Sequence, residues 1–95
     1  MTECIIFGDS VPDWDALYDQ FESQLSLPSW FGRNLDALYD CLTDLRDAEI
    51  TVYQWDVLCR TLGEKAAGLQ RVLTDAGLAN PELVVCMLHG DEDEI

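Results

Sequence analysis

The first apolar cluster, Glu3 to Phe7 (ECIIF), is short, carries an Ile pair and stops at the turn-like GDS, a pattern that predicts a buried strand. From Asp13 to Gln24 the period changes. Trp14, Leu17, Tyr18 and Phe21 recur at helical spacing, with acids in the first turn where the helix dipole favours them. Pro28 and Gly32 in LSLPSWFG break that helix. Asn34 is a good N-cap for a second helix running to about Thr43, with Leu35, Leu38, Cys41 and Leu42 on one face and Leu45 extending the stripe. Glu49 to Trp55 (EITVYQW) returns to β-branched and aromatic residues and predicts the second strand. Asp56 to Leu62 reads as a short helix. Glu64 to Ala76 reads as a longer one, with Leu69, Val72 and Leu73 inward and Gly77 as its C-terminal stop. After Asn80-Pro81, the unbroken apolar run Leu83 to Leu88 (LVVCML) predicts a third strand covered on both faces.

Strands separated by helices imply a parallel sheet with right-handed crossovers, hence an α/β layered domain of three strands and about four helices. The pattern contains no internal repeat or linker. We expect a single domain over residues 1–90 and an acidic, solvated, disordered tail over 91–95 (DEDEI).

Composition narrows the function. A hydrophobic share of 48% over 95 residues is too rich for a disordered chain, so the formal net charge of −14 belongs to a folded acidic domain. Phosphate backbones and anionic lipid are repelled by that charge, which argues against nucleic acid or membrane as a direct partner and for a cationic one. Solubility alone also accounts for an acidic surface. Cys4, Cys41, Cys59 and Cys86 lack CxxC spacing and each lies in an apolar run, as buried thiols do. The N-terminal MTECIIFGDS lacks the pattern of a secretory leader, and no apolar run reaches membrane-spanning length, so a reducing cytoplasmic location is expected.

One feature of the second helix stands apart from its core pattern. Asp36, Asp40 and Asp44 recur every fourth residue, within about 80° of one another and away from the leucines. Like charges at this spacing cost a helix roughly 0.2–0.5 kcal/mol per pair, partly recovered by Asp36 at the N-terminal turn. That cost is small enough for an ordinary solvated face. The neighbours favour a binding role: Trp30 and Phe31 precede the helix beside Gly32, and Tyr39 lies between two of the acids. Aromatics supply anchor area and carboxylates supply complementarity to Arg or Lys, although Phe31 is better placed as a plug for the helix layer.

Here LSLPSWFGRNLDALYDCLTD resembles the barstar family of intracellular inhibitors of barnase-type ribonucleases, whose pattern is approximately LPxYYGxNLDALWDCLT. The match is nearly continuous over GxNLDALxDCLT, and the order of elements agrees along the rest of the chain. The resemblance implies a three-stranded parallel sheet and a non-enzymatic ribonuclease inhibitor that plugs a basic active site with this helix and its preceding loop. It implies Asp40 as the principal phosphate mimic and Asp36 as the partner of a basic residue on the guanine-recognition side. A ribonuclease gathers cations around its scissile phosphate, and carboxylates on a rigid helix offer them charge-assisted hydrogen bonds without being substrate.

Carried over residue by residue, the resemblance places Trp30, Gly32, Asn34, Leu35, Tyr39 and Thr43 at the contact face. It assigns a late-helix acid to Asp75, with Thr74 the alternative in the alignment. Two features depart from the family. Arg33 puts a cation where the family carries an acid, facing a basic active site, and Asp44-Leu45 replaces a Gly-Trp pair at the helix end. The expected partner is a basic ribonuclease in a one-to-one complex with a monomer.

Other chemistries have weaker support. A Mg²⁺-dependent phosphate enzyme would need further oxygen ligands and a phosphate-binding element, and the chain has no glycine-rich phosphate loop. GDEDEI lacks EF-hand spacing, no Cys or His pair has zinc-finger spacing, and His89 is the only histidine available to activate a cysteine. No cofactor or metal is expected. An acidic adaptor or immunity-type protein that uses the same helix on another cationic partner, such as a different nuclease, remains open.

Overall fold

The computed structural model describes residues 1–28 and 30–89; the end of the expected domain at residue 90 and the acidic tail at 91–95 lie outside them. In chain order the elements are β1 (Thr2–Phe7), α1 (Trp14–Leu25), α2 (Leu35–Thr43), β2 (Ala48–Tyr53), α3 (Trp55–Leu62), α4 (Ala66–Ala79) and β3 (Leu83–Met87), with 3-10 turns at Gly8–Ser10 and Gly63–Lys65. The strands form one parallel sheet in the order β1-β2-β3, in which Cys4 pairs with Ile50 and Ile50 with Val85.

Alternation along the strands sets which face is covered. Cys4, Ile6, Ala48, Ile50, Val52 and Leu83 are buried in one core together with Leu17 and Phe21 of α1, Leu38 and Leu42 of α2, Leu58 of α3, and Leu69 and Leu73 of α4. Each fully buried Leu or Ile contributes about 1.5–3 kcal/mol relative to exposure, so these positions carry most of the driving force. The alternate residues Ile5, Phe7, Tyr53 and Val84 are exposed, and the register-paired Phe7 and Tyr53 stack on that open face with ring centroids 5.3 Å apart. β3 is therefore not covered on both faces as its apolar run predicts: it is an edge strand, and Val84 is 52% exposed. The outer edge of β1 is sealed by Gln24, whose Oε1 accepts from the Ile5 N–H at 2.8 Å and whose Nε2 donates to the Ile5 carbonyl at 2.9 Å.

Three boundaries differ from the sequence pattern by more than one residue. β2 stops at Tyr53 because Gln54 takes a left-handed conformation (φ 57°), which turns the chain so that Trp55 opens α3 and is buried. The segment from Glu64 begins as a 3-10 turn, and the α-helix starts at Ala66. Gly77 does not end α4. The helix runs through it to Ala79 and stops at Asn80, which Pro81 holds in an extended conformation. Of the four thiols, all free, Cys4 and Cys41 are buried; Cys59, and Cys86 on the open face of the sheet, are only half-buried.

Candidate partner-binding face

The loop before α2 alternates in direction. Phe31 is buried and packs edge-on against Tyr18 of α1, with centroids 5.7 Å apart, while Trp30 stays 63% exposed and Gly32 and Asn34 face outward. Phe31 is thus the plug and Trp30 the free aromatic. Gly32 is exposed, and an added Cβ would press on the Asn34 side chain, with Nδ2 at 3.2 Å, but on no backbone atom within 4 Å.

Both ends of α2 are fixed by side chains. Asn34 is the N-cap, its Oδ1 accepting from the Ala37 N–H at 2.8 Å, which satisfies a donor the helix leaves free. At the other end Asn80, 7% exposed, donates from Nδ2 to the carbonyls of Leu42 and Leu45 at 3.0 and 2.8 Å. Its Oδ1 accepts from the Glu82 N–H at 3.0 Å. The helix between these caps packs against α4 and buries Leu38, Cys41 and Leu42 in the core.

On this scaffold Asp36, Asp40 and Asp44 are all exposed. The first two are separated by about 6 Å of helix rise, and Asp44 follows after as much again. Among the described residues none of the three has an ion-pair partner, whereas Asp15, Asp19, Glu22, Asp47, Asp56 and Glu82 each have one. The stripe therefore presents uncompensated charge. Its field reaches the underside of the helix: burial first, and then the charges of Asp40 and Asp44, push the Cys41 thiol pKa up.

The other expected contact residues divide into two groups. Tyr39 and Leu35 are half-buried against the core and border the stripe, and Thr43 spends its hydroxyl on the Asp40 carbonyl at 3.0 Å. Leu35 also lies against α4, since a Cβ on Gly68 would come within 3.0 Å of its Cδ1. Asp75 is exposed seven residues after Gly68, about 20° around the helix from it, so it shares the α4 flank that borders α2. Thr74 instead lines the groove between α4 and β3 with Leu78 and Val85. Beside Asp36 a cleft of about 650 Å³ opens between Trp14, Tyr18, Arg33, Leu35, Lys65 and Gly68.

Arg33 does not face outward as the sequence pattern suggests. Its backbone is left-handed (φ 55°) and its side chain folds back over α1. Nη2 donates to Asp15 Oδ1 at 2.8 Å, the Asp15 carbonyl at 2.9 Å and Asp19 Oδ1 at 3.0 Å, and Nη1 donates to Glu22 Oε1. The hydrogen bond to Asp15 leads the causes that raise the pKa of Arg33, so the guanidinium is held charged. Its positive charge is paired with acids of α1 and not with Asp36, although both residues line the same cleft. The acids at positions 15, 19 and 22, one helical stripe, were the sequence signal for this pairing. Asn80 had no such signal beyond its place before a proline.

Among the described residues no group of three or more His, Cys, Asp or Glu side chains is arranged to hold a metal ion, and no helix is long and apolar enough to cross a membrane. The family model described as barstar (barnase inhibitor) matches residues 1–88. A Bacillus subtilis (strain 168) protein named "Putative ribonuclease inhibitor YrdF" is 40% identical over 52 residues, a span that covers 55% of this chain and 57% of that relative.

Proposed function

Matched over nearly its whole length, the chain belongs to the barstar family, and from that premise we propose that it inhibits a basic ribonuclease by covering the active site with α2 and the loop before it. The observation that carries this reading is the row of ion-unpaired carboxylates Asp36, Asp40 and Asp44 on a helix capped by Asn34 and Asn80, with the exposed Trp30 beside it. A fixed row of charges costs little further ordering on binding and is complementary to a cluster of Arg, Lys and His. The pairing of Arg33 with α1 supports the same reading, because its charge is matched by Asp15, Asp19 and Glu22 and not by the acids of the stripe.

In this proposal Asp40 is the phosphate mimic in the catalytic basic cluster and Asp36 pairs with a basic residue at its edge. Trp30, Gly32, Asn34, Leu35, Tyr39 and Thr43 supply the contact surface around them, and Asp44 and Asp75 extend it. The inhibitor is a cytoplasmic monomer, forms a one-to-one complex and performs no catalysis of its own. Four free thiols are in keeping with a reducing compartment.

The test is titration of a barnase-type ribonuclease with the purified protein, with Asp40→Ala alongside. We expect activity to fall linearly to an equimolar end point with wild type, and the variant to inhibit at least tenfold less tightly, since a hydrogen bond to a charged group is worth about 1.5–3 kcal/mol. A folded wild type that leaves micromolar ribonuclease fully active overturns the assignment of target and points to a different cationic partner.

A further inference from the structure

We propose that Arg33 is a positioning residue that holds the binding loop in its partner-ready shape by locking it to α1, an inference that rests on the proposed function and deepens it. Two residues of the loop, one on each side of Gly32, converge on the same ring. Phe31 meets Tyr18 edge-on at 5.7 Å, and the Arg33 guanidinium lies over Tyr18 at 5.8 Å from the centroid. The guanidinium then spans three acids of α1, Asp15, Asp19 and Glu22. These inward anchors leave Trp30, Gly32 and Asn34 turned outward.

Arg33 occupies a left-handed conformation that costs any residue with a Cβ, so a free chain would abandon it unless something held it there. The planar fork of arginine satisfies several acceptors at once, which a lysine ammonium does less well. Since Arg33 immediately precedes the N-cap Asn34, its lock also fixes where α2 begins, and with it the direction of Asp36. Arg33 acts through the loop, its guanidinium being engaged with α1.

Arg33→Gly separates the two roles, because glycine adopts the same backbone conformation freely but offers no guanidinium. The measurements are ¹⁵N order parameters at Gly32 to Asn34 in the free protein and the dissociation rate of the preformed complex with a barnase-type ribonuclease. We expect the order parameters to drop from about 0.85 to below about 0.6. Dissociation should become roughly tenfold faster as preorganisation is lost. Asp15→Asn/Asp19→Asn/Glu22→Gln should reproduce both effects and add little to Arg33→Gly, and Arg33→Lys with the acids in place should fall between wild type and Arg33→Gly. A merely structural role would lower the folded fraction without changing the rate at which folded complexes dissociate. Unchanged order parameters and dissociation in Arg33→Gly overturn the positioning role. A wild type that binds no ribonuclease overturns the function beneath it, which the order parameters of the free protein distinguish from failure of the lock.

Discussion

Asn80 Nδ2 donates to the carbonyl of Leu42 at 3.0 Å, so the turn between α4 and β3 caps the C-terminal end of α2. A residue 38 positions further along the chain thereby holds the helix that carries the acidic stripe.

Asn80→Ala removes the donors to Leu42 in α2 and to Leu45 just beyond it, and the acceptor for the Glu82 N–H, leaving the Leu42 carbonyl only the Leu45 N–H at 3.3 Å. We expect a loss of about 2–3 kcal/mol in urea unfolding. Asn80→Asp should be no better, because an ionised carboxylate cannot donate to a carbonyl. A change below about 0.5 kcal/mol in both would show that the cap is dispensable.

Two glycines separate fold from binding. A Cβ on Gly8 would lie 2.2 Å from the Gln54 carbonyl oxygen and 2.9 Å from that of Tyr53, both backbone atoms that cannot retreat alone. Gly8→Ala should therefore destabilise by more than about 2 kcal/mol in the same denaturation assay. Gly32→Ala meets only a side chain at 3.2 Å and should stay within about 0.5 kcal/mol of wild-type stability, yet bind the ribonuclease more weakly.

Association with a cationic ribonuclease should be steered by charge. With a formal net charge of −14, stopped-flow association should slow by roughly tenfold or more between low salt and half-molar salt, while dissociation changes far less. A salt-independent association rate would contradict the role of the stripe.

The two late-helix candidates should separate by flank. Asp75 shares the α4 side that borders α2, and Thr74 lines the groove toward β3. Asp75→Ala should weaken binding a few-fold and Thr74→Ala leave it unchanged, read by competition against wild type. The reverse order would move the contact face around α4.

Burial pushes the Cys4 thiol pKa from 9.0 up to about 12, so the folded state disfavours its thiolate. The folded pKa lies above the unfolded one. Stability from this group is therefore complete below pH 9 and declines as pH rises toward about 12. Urea midpoints should fall across that window, with Cys4→Ala showing a shallower decline from a lower starting stability. At pH 8 native Cys4 should alkylate far more slowly than in urea.

Much of this molecule was legible because local chemistry and tertiary environment agree. The period of Trp14, Leu17, Tyr18 and Phe21 marked a helix whose latter three side chains are buried, and Asn34 marked the start of α2 through a cap made within three residues. The pattern GxNLDALxDCLT carried the family. What it missed depended on contacts between distant segments. Gly77 has the residue type of a helix stop, yet α4 continues to Ala79. Gln54 lacks the residue type of a left-handed turn, yet it ends β2. LVVCML has the composition of a strand buried on both faces, but nothing in the run itself records that the sheet has only one covered face.

Sequence by itself determined the order of strands and helices, the place of the acidic stripe outside the core, and the exposure of Asp36, Asp40 and Asp44, because periodicity and capping act over a few residues. Tertiary structure alone decided that the stripe stays unpaired and that the charge of Arg33 is matched by acids of α1. Which acids Arg33 can reach is fixed by the packing of its loop across α1, with Phe31 and Tyr18 in contact, and charge pairing follows distance in space rather than separation along the chain.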